Sequence, residues 1–210
     1  MPDFALEDDL ARSGATLIVG IDEAGRGPLA GPVVAAAVII AKGALAPSIL
    51  ARIDDSKKMA AEEREDIDGV LRNTPGVTFG IGSADVAEID SINILQATFL
   101  AMGRAVAALG VVPDVALVDG NRPPRLGCPV HCVIGGDGIS LSIAAASIVA
   151  KVARDRLMTD MAGRFPGYAW ERNKGYGTAE HQAAIRRLGV TIEHRRTFAP
   201  IALILGTTVD

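Results

Sequence analysis

An apolar run over residues 16–21 ends on two adjacent carboxylates, Asp22 and Glu23, and passes at once into a glycine-rich turn, Ala24-Gly25-Arg26-Gly27-Pro28-Leu29-Ala30-Gly31-Pro32. This junction constrains the fold more than any other feature. Successive side chains of a strand point to opposite faces, so Asp22 and Glu23 can share one site only if the chain bends just after Asp22. The glycines permit such a bend and let a ligand or another backbone approach closely. Paired oxygens suit a hard cation, Arg26 offers a donor fork suited to phosphate, and free N–H groups in the turn can bind further oxygens. A strand ending in Asp-Glu before a Gly/Pro turn is also an ordinary structural device, so the rest of the chain must decide.

The 210 residues are 49% hydrophobic and 22% charged, enough apolar content for one domain with a small appendage. No window approaches a membrane span, and the acidic start, 1–9, differs from the basic start of a signal peptide; a cytoplasmic protein is expected. Cys128 and Cys132 flank Pro129-Val130-His131 without a second cluster to complete a zinc site, and read as reduced thiols. The net charge of -4 argues against a general nucleic-acid coat, yet the charge is uneven. Residues 1–119 hold 9 Lys+Arg against 18 Asp+Glu, whereas 120–197 hold 12 against 6. One basic face beside an acidic centre follows, as a phosphodiester substrate requires, although a solvated helix face gives a weaker version.

Hydrophobic periodicity predicts alternating strands and helices. Strands are expected over 16–22 and 32–40, paired as a hairpin, then over 77–86, 115–118 and 130–134. Helices are expected over 60–72, 91–109 and 143–161, with two further pieces over 180–188 and 198–205. The fold class is therefore α/β.

Asp22, Asp119 and Asp137 each stand at or just beyond the C-terminal end of an expected strand, next to glycine. If those strands are neighbours, the carboxylates converge with Glu23 at the edge where α/β sheets form ligand sites. Carboxylates without histidine or cysteine select Mg²⁺ or Mn²⁺ over zinc. Taken singly, each aspartate could equally mark a turn. On the helix that follows, Ser147, Lys151 and Arg154 fall in one narrow sector at ~100° per residue and could track a phosphate strand; Arg154 and Asp155 could instead serve ordinary helix ion pairs. His131, His181 and His194 have no triad spacing, and His194-Arg195-Arg196 reads as a solvated or nucleic-acid-contacting face.

Six segments together resemble bacterial ribonuclease HII, the type 2 ribonuclease H family: Gly20 through the Asp22-Glu23 turn to Val33, Asp55-Ser56-Lys57-Lys58, residues 93–98, Val118-Asp119-Gly120-Asn121, the 145–155 helix, and Lys174-Gly175-Tyr176-Gly177-Thr178. The resemblance covers nearly the whole chain. It implies a ribonuclease H-like mixed sheet flanked by helices, with residues 14–165 as catalytic domain and 166–210 as a helical extension packed on it. It implies an endonuclease that cuts RNA in RNA–DNA hybrids and 5′ of ribonucleotides embedded in duplex DNA, with two Mg²⁺ or Mn²⁺ ions in the active complex; a monomer is expected. On the matching positions, Asp22, Glu23, Asp119 and Asp137 are the metal-binding carboxylates, and Gly25-Arg26-Gly27 is the turn whose backbone reads the ribose 2′-hydroxyl. Tyr176 stacks on the sugar beyond the scissile bond; without the family it would pass for a turn aromatic. Ser147, Lys151 and Arg154 match phosphate contacts, with Lys57, Lys58 and Asn93 as weaker matches.

The chain departs from the family at Gly135-Gly136-Asp137-Gly138, where relatives commonly have Lys-Gly-Asp-Ser. A cation and a hydroxyl are missing beside the fourth carboxylate, which puts its support in question. The expected chemistry is two-metal phosphodiester hydrolysis leaving a 3′-hydroxyl and a 5′-phosphate. A phosphatase would share the carboxylates without a polyanion track, and a hybrid-binding module would keep the track without scission.

Overall fold

A computed structural model describes residues 1–54 and 56–207; Asp55 of the Asp55-Ser56-Lys57-Lys58 segment lies outside the described residues. Five strands form one mixed sheet in the order β3-β2-β1-β4-β5, namely β1 (Ile18–Ala24), β2 (Val33–Ile40), β3 (Val77–Ala84), β4 (Val115–Asp119) and β5 (Val130–Val133). The pairs β1–β2 and β2–β3 are antiparallel, whereas β1–β4 and β4–β5 are parallel. Eight helices are described: α1 (Ala5–Arg12), α2 (Pro47–Leu50), α3 (Ala61–Asn73), α4 (Val86–Ala107), α5 (Leu141–Arg164), α6 (Trp170–Asn173), α7 (Ala179–Leu188) and α8 (Ala199–Leu205).

The two-residue period of β2 divides the core. Val33, Ala35, Ala37 and Ile39 meet α4 through Ala97, Ala101 and Ala105, while Ala36 and Val38 meet α5 through Ala144, Ala145 and Ile148. A sheet covered on both faces needs strands apolar throughout, which is why β2 reads as an unbroken apolar run. Glycine sets how closely the helices approach. A Cβ on Gly20 of β1 would lie 2.1 Å from the Ser142 carbonyl carbon of α5, and one on Gly82 of β3 would lie 2.3 Å from the Ala101 carbonyl oxygen of α4.

The β1–β2 hairpin forms as expected, but the bend after Asp22 does not. The strand stays extended to Ala24, with Asp22 and Glu23 opposite Ala36 and Ala35, and the chain turns at Gly25, where φ is +97°. The helix expected from residue 91 starts earlier. Asp85 accepts the Glu88 N–H at 2.8 Å and the Glu88 carboxylate accepts the Asp85 N–H at 3.0 Å, a capping box that ends β3 at Ala84. Within α4, Asn93 breaks the helix at φ +65°, and its side chain accepts the Leu95 and Gln96 N–H groups to restart it.

A third apolar cluster joins Leu29 and Ala30 of the glycine-rich turn to Met158, Trp170, Ile185 and Ile201. The helices after α5 thus pack against the turn itself. No helix among the described residues is long and apolar enough to cross a membrane.

Candidate active site

Because β1 and β4 are parallel neighbours, their C-terminal ends open on one edge of the sheet. Asp22 and Glu23 leave β1 there and Asp119 ends β4, and all three line one cavity of about 240 Å³. Asp22 is buried, and its Oδ1 accepts the Glu23 N–H at 2.7 Å. Burial, then the nearby Glu23 and Asp119 charges, pushes its pKa well above the usual carboxylate range. Burial also raises Glu23, opposed by Arg26 Nη1 at 3.2 Å. Asp119 is raised by burial too, opposed by the Gly136 N–H that donates to it at 2.7 Å.

Asp137 occupies a short 3₁₀ turn, Gly136–Gly138, just past β5. It is buried, adds to the rise at Asp119, and accepts from Lys57 Nζ at 3.2 Å. It is not among the residues that line the cavity. A cation thus stands beside Asp137, contributed by Lys57 of another segment.

Buried carboxylates that raise one another's pKa form a site short of positive charge, and an all-oxygen donor set fits a hard divalent cation. Among the described residues no three such groups are yet closed around one point, since Glu23 is turned to Arg26 and Asp137 to Lys57. The residues fit the cation, and these two ion pairs balance part of the charge without it.

The Gly25-Arg26-Gly27 turn and Tyr176 line the same cavity. The Tyr176 ring is 45% exposed and lies 6.0 Å from the Arg154 Cζ. Ser147, Lys151 and Arg154 of α5 also reach the cavity but serve differently. Ser147 Oγ is buried against Ser56 Oγ at 2.8 Å, and Lys151 pairs with Asp155 at 2.8 Å. Arg154 corrects the expectation of three donors ready for phosphate. It is fully buried and gives its guanidinium to the Pro32, Lys174 and Ala30 carbonyls at 3.1, 3.0 and 3.2 Å. Lys57 lines the cavity, whereas Lys58 and Asn93 are exposed and off its wall.

The His194-Arg195-Arg196 triplet is a second correction. His194 and Arg195 are fully buried, and Arg195 donates to the carbonyls of Gly25, Arg26 and Gly31. Neither the hold of Arg195 on the turn nor the contact of Ser56 with Ser147 was read from the sequence. A basic triplet looks the same whether its cations face water or main-chain carbonyls, and this one reaches a turn 170 residues away.

The sequence model of ribonuclease HII matches residues 19–200. The chain belongs to the ribonuclease HII family. It is 61% identical to the ribonuclease HII of Rhodospirillum rubrum over 201 residues, 96% of this chain and 90% of that one. Among solved structures, the ribonuclease H2 from Pyrococcus horikoshii OT3 superposes with a TM-score of 0.70 at 24% identity, covering 90% of this chain and 97% of that one. Bst-RNase HIII, solved in complex with Mn²⁺, superposes with a TM-score of 0.70 at 19% identity, covering 92% and 70%. The fold is of the ribonuclease H type, as the strand order and flanking helices require. Ribonuclease HII membership makes the protein a metal-dependent endonuclease that acts on RNA–DNA hybrids.

Proposed function

We propose that the cavity at the ends of β1 and β4 is where the phosphodiester is hydrolysed, both in the RNA strand of hybrids and 5′ of single ribonucleotides embedded in duplex DNA. One observation carries the reading: the buried Asp22, the half-buried Glu23 and Asp119, and the Gly25-Arg26-Gly27 turn with Tyr176 line the same small cavity. Asp22, Glu23 and Asp119, backed by Asp137, would hold two Mg²⁺ or Mn²⁺ ions; the Mn²⁺ named with Bst-RNase HIII supports that choice. When bound, the ions supply an activated water and stabilise the charge on the departing 3′-oxygen, which leaves a 3′-hydroxyl and a 5′-phosphate.

The chain's own residues do the rest. Lys57 and Lys151, on the cavity wall, take phosphate oxygens, and Arg26 can exchange Glu23 for a phosphate with its planar fork. The turn backbone meets the ribose 2′-hydroxyl, and the Tyr176 ring lies under the following sugar, where it favours deoxyribose. Residues 14–165 carry the carboxylates, the lysines and the turn, while the segment beyond them supplies Tyr176 and packs its helices against the turn.

Asp119→Asn tests the assignment. It removes a ligand charge from a half-buried position without changing volume, so hybrid cleavage should fall at least ~10²-fold while the fold and duplex affinity persist. Near-normal turnover in the folded variant would end the two-metal reading.

A further inference from the structure

Two guanidiniums, Arg154 and Arg195, are fully buried beneath the 25–31 turn, and among the described residues neither is within ion-pair distance of a carboxylate. Their partners are main-chain carbonyls. Arg195 Nη2 donates to the Gly25 oxygen at 2.5 Å and to the Gly31 oxygen at 2.9 Å. Its Nη1 donates to the Arg26 oxygen at 2.9 Å, and its Nε to Gly31 at 3.0 Å. Arg154 holds the other limb through Ala30 and Pro32 and links it to Lys174, two residues before Tyr176.

The C=O and N–H of a trans peptide point in opposite directions across its plane. With the Gly25 and Arg26 carbonyls drawn inward to Arg195, the N–H groups of Arg26 and Gly27 must point outward, on the side where these residues line the cavity. Among the described residues neither N–H has an acceptor, and Pro28, next in the chain, has no N–H to offer.

We propose that Arg195 is the positioning residue that turns the Gly25-Arg26-Gly27 backbone into a ribose reader, by fixing two adjacent peptide planes so that their unpartnered N–H groups meet the 2′-hydroxyl. The proposal rests on the reading of this turn as the hydroxyl detector. A buried charge is costly unless its hydrogen bonds are complete, and an apolar side chain could fill the same space. What only arginine supplies is a planar fork that orients several carbonyls at once. Lysine keeps the charge and most of the stem but presents a point charge that cannot hold two planes at a set angle.

The test compares wild type with Arg195→Lys on two duplexes that differ only in one 2′-hydroxyl, one containing a single ribonucleotide and the other all DNA. Affinity is measured by fluorescence anisotropy without divalent metal. Wild type should bind the ribonucleotide duplex about 10-fold more tightly, as two N–H hydrogen bonds allow. Arg195→Lys should lose that preference and keep its all-DNA affinity. A variant that retains the wild-type preference would overturn the role of Arg195, whereas a wild type with no preference would overturn the detector reading and this inference with it. A readout on the unaltered protein guards against a variant that does not fold. The Arg26 and Gly27 amide protons should shift on adding the ribonucleotide duplex and not the all-DNA duplex, and unmoved amides would refute the proposal.

Discussion

Acid should release the support behind Tyr176 through two histidines that are neutral in the fold. Trp170 Nε1 donates to His181 Nε2 at 2.9 Å, which assigns the His181 proton to Nδ1, where it is donated to the Tyr176 carbonyl at 2.9 Å. The Thr191 N–H donates to His194 Nδ1 at 3.0 Å, which leaves the His194 proton on Nε2, 3.2 Å from His181 Nε2. A further proton on either ring would set donor against donor. Burial, then the neighbouring His181, pushes His194 from 6.5 down to about 4. Since the folded value is the lower one, the unfolded chain protonates first. The contribution to stability is therefore whole above pH 6.5 and is lost as pH falls towards 4. Linkage puts the loss at about 2 kcal/mol by pH 5 and about 3 kcal/mol by pH 4, or roughly 6–12 °C in melting temperature for a chain of this size. Asp22 and Glu23, whose pKa values are raised, contribute the opposite trend, so the assay must be a difference. Calorimetry of wild type and His194→Asn from pH 7.5 to 4 should show the wild type losing about 3 kcal/mol more than the variant. Parallel curves would refute the neutral-pair reasoning.

Two further outcomes are expected. Tyr176→Ala should slow cleavage of the single-ribonucleotide duplex far more than that of a long hybrid, because only the former must have deoxyribose beyond the cut; equal slowing would assign the ring to general positioning. Gly20→Ala drives a Cβ into the Ser142 main chain of α5 and should cost about 3 kcal/mol in urea unfolding, with wild-type stability as the contrary result.

The carboxylates were legible in the sequence because strand ends and glycines are local signals, and the parallel β1–β4 pairing brings Asp22, Glu23 and Asp119 to one edge. The bend after Asp22 proved unnecessary. A cavity off the end of a sheet is reached from both faces, so adjacent residues can share it without leaving the strand. The start of α4 was also legible in Asp85 and Glu88, three residues apart, but the apolar stretch after residue 91 gave the stronger periodic signal. The partners of buried polar groups were not legible. Arg154 and Arg195 satisfy main-chain oxygens 20 to 170 residues away, and Glu7 of α1 accepts from Ser140 and Ser142 at the start of α5. Such pairings depend on which segments the fold brings together, and no local spacing encodes them. Short α6, four residues between Ala169 and Lys174 that both adopt positive φ, is held by Trp170 packing rather than by helix propensity.

The most direct measurement is the position of the cut. A duplex carrying one ribonucleotide and a label at each end in turn, incubated with Mg²⁺, with Mn²⁺ and with chelator, should be nicked on the 5′ side of the ribonucleotide only when metal is present. The products should carry a 3′-hydroxyl and a 5′-phosphate. Scission without metal, scission on the 3′ side, or equal nicking of an all-DNA duplex would contradict a site in which carboxylate-held ions do the chemistry and the turn and Tyr176 choose the bond.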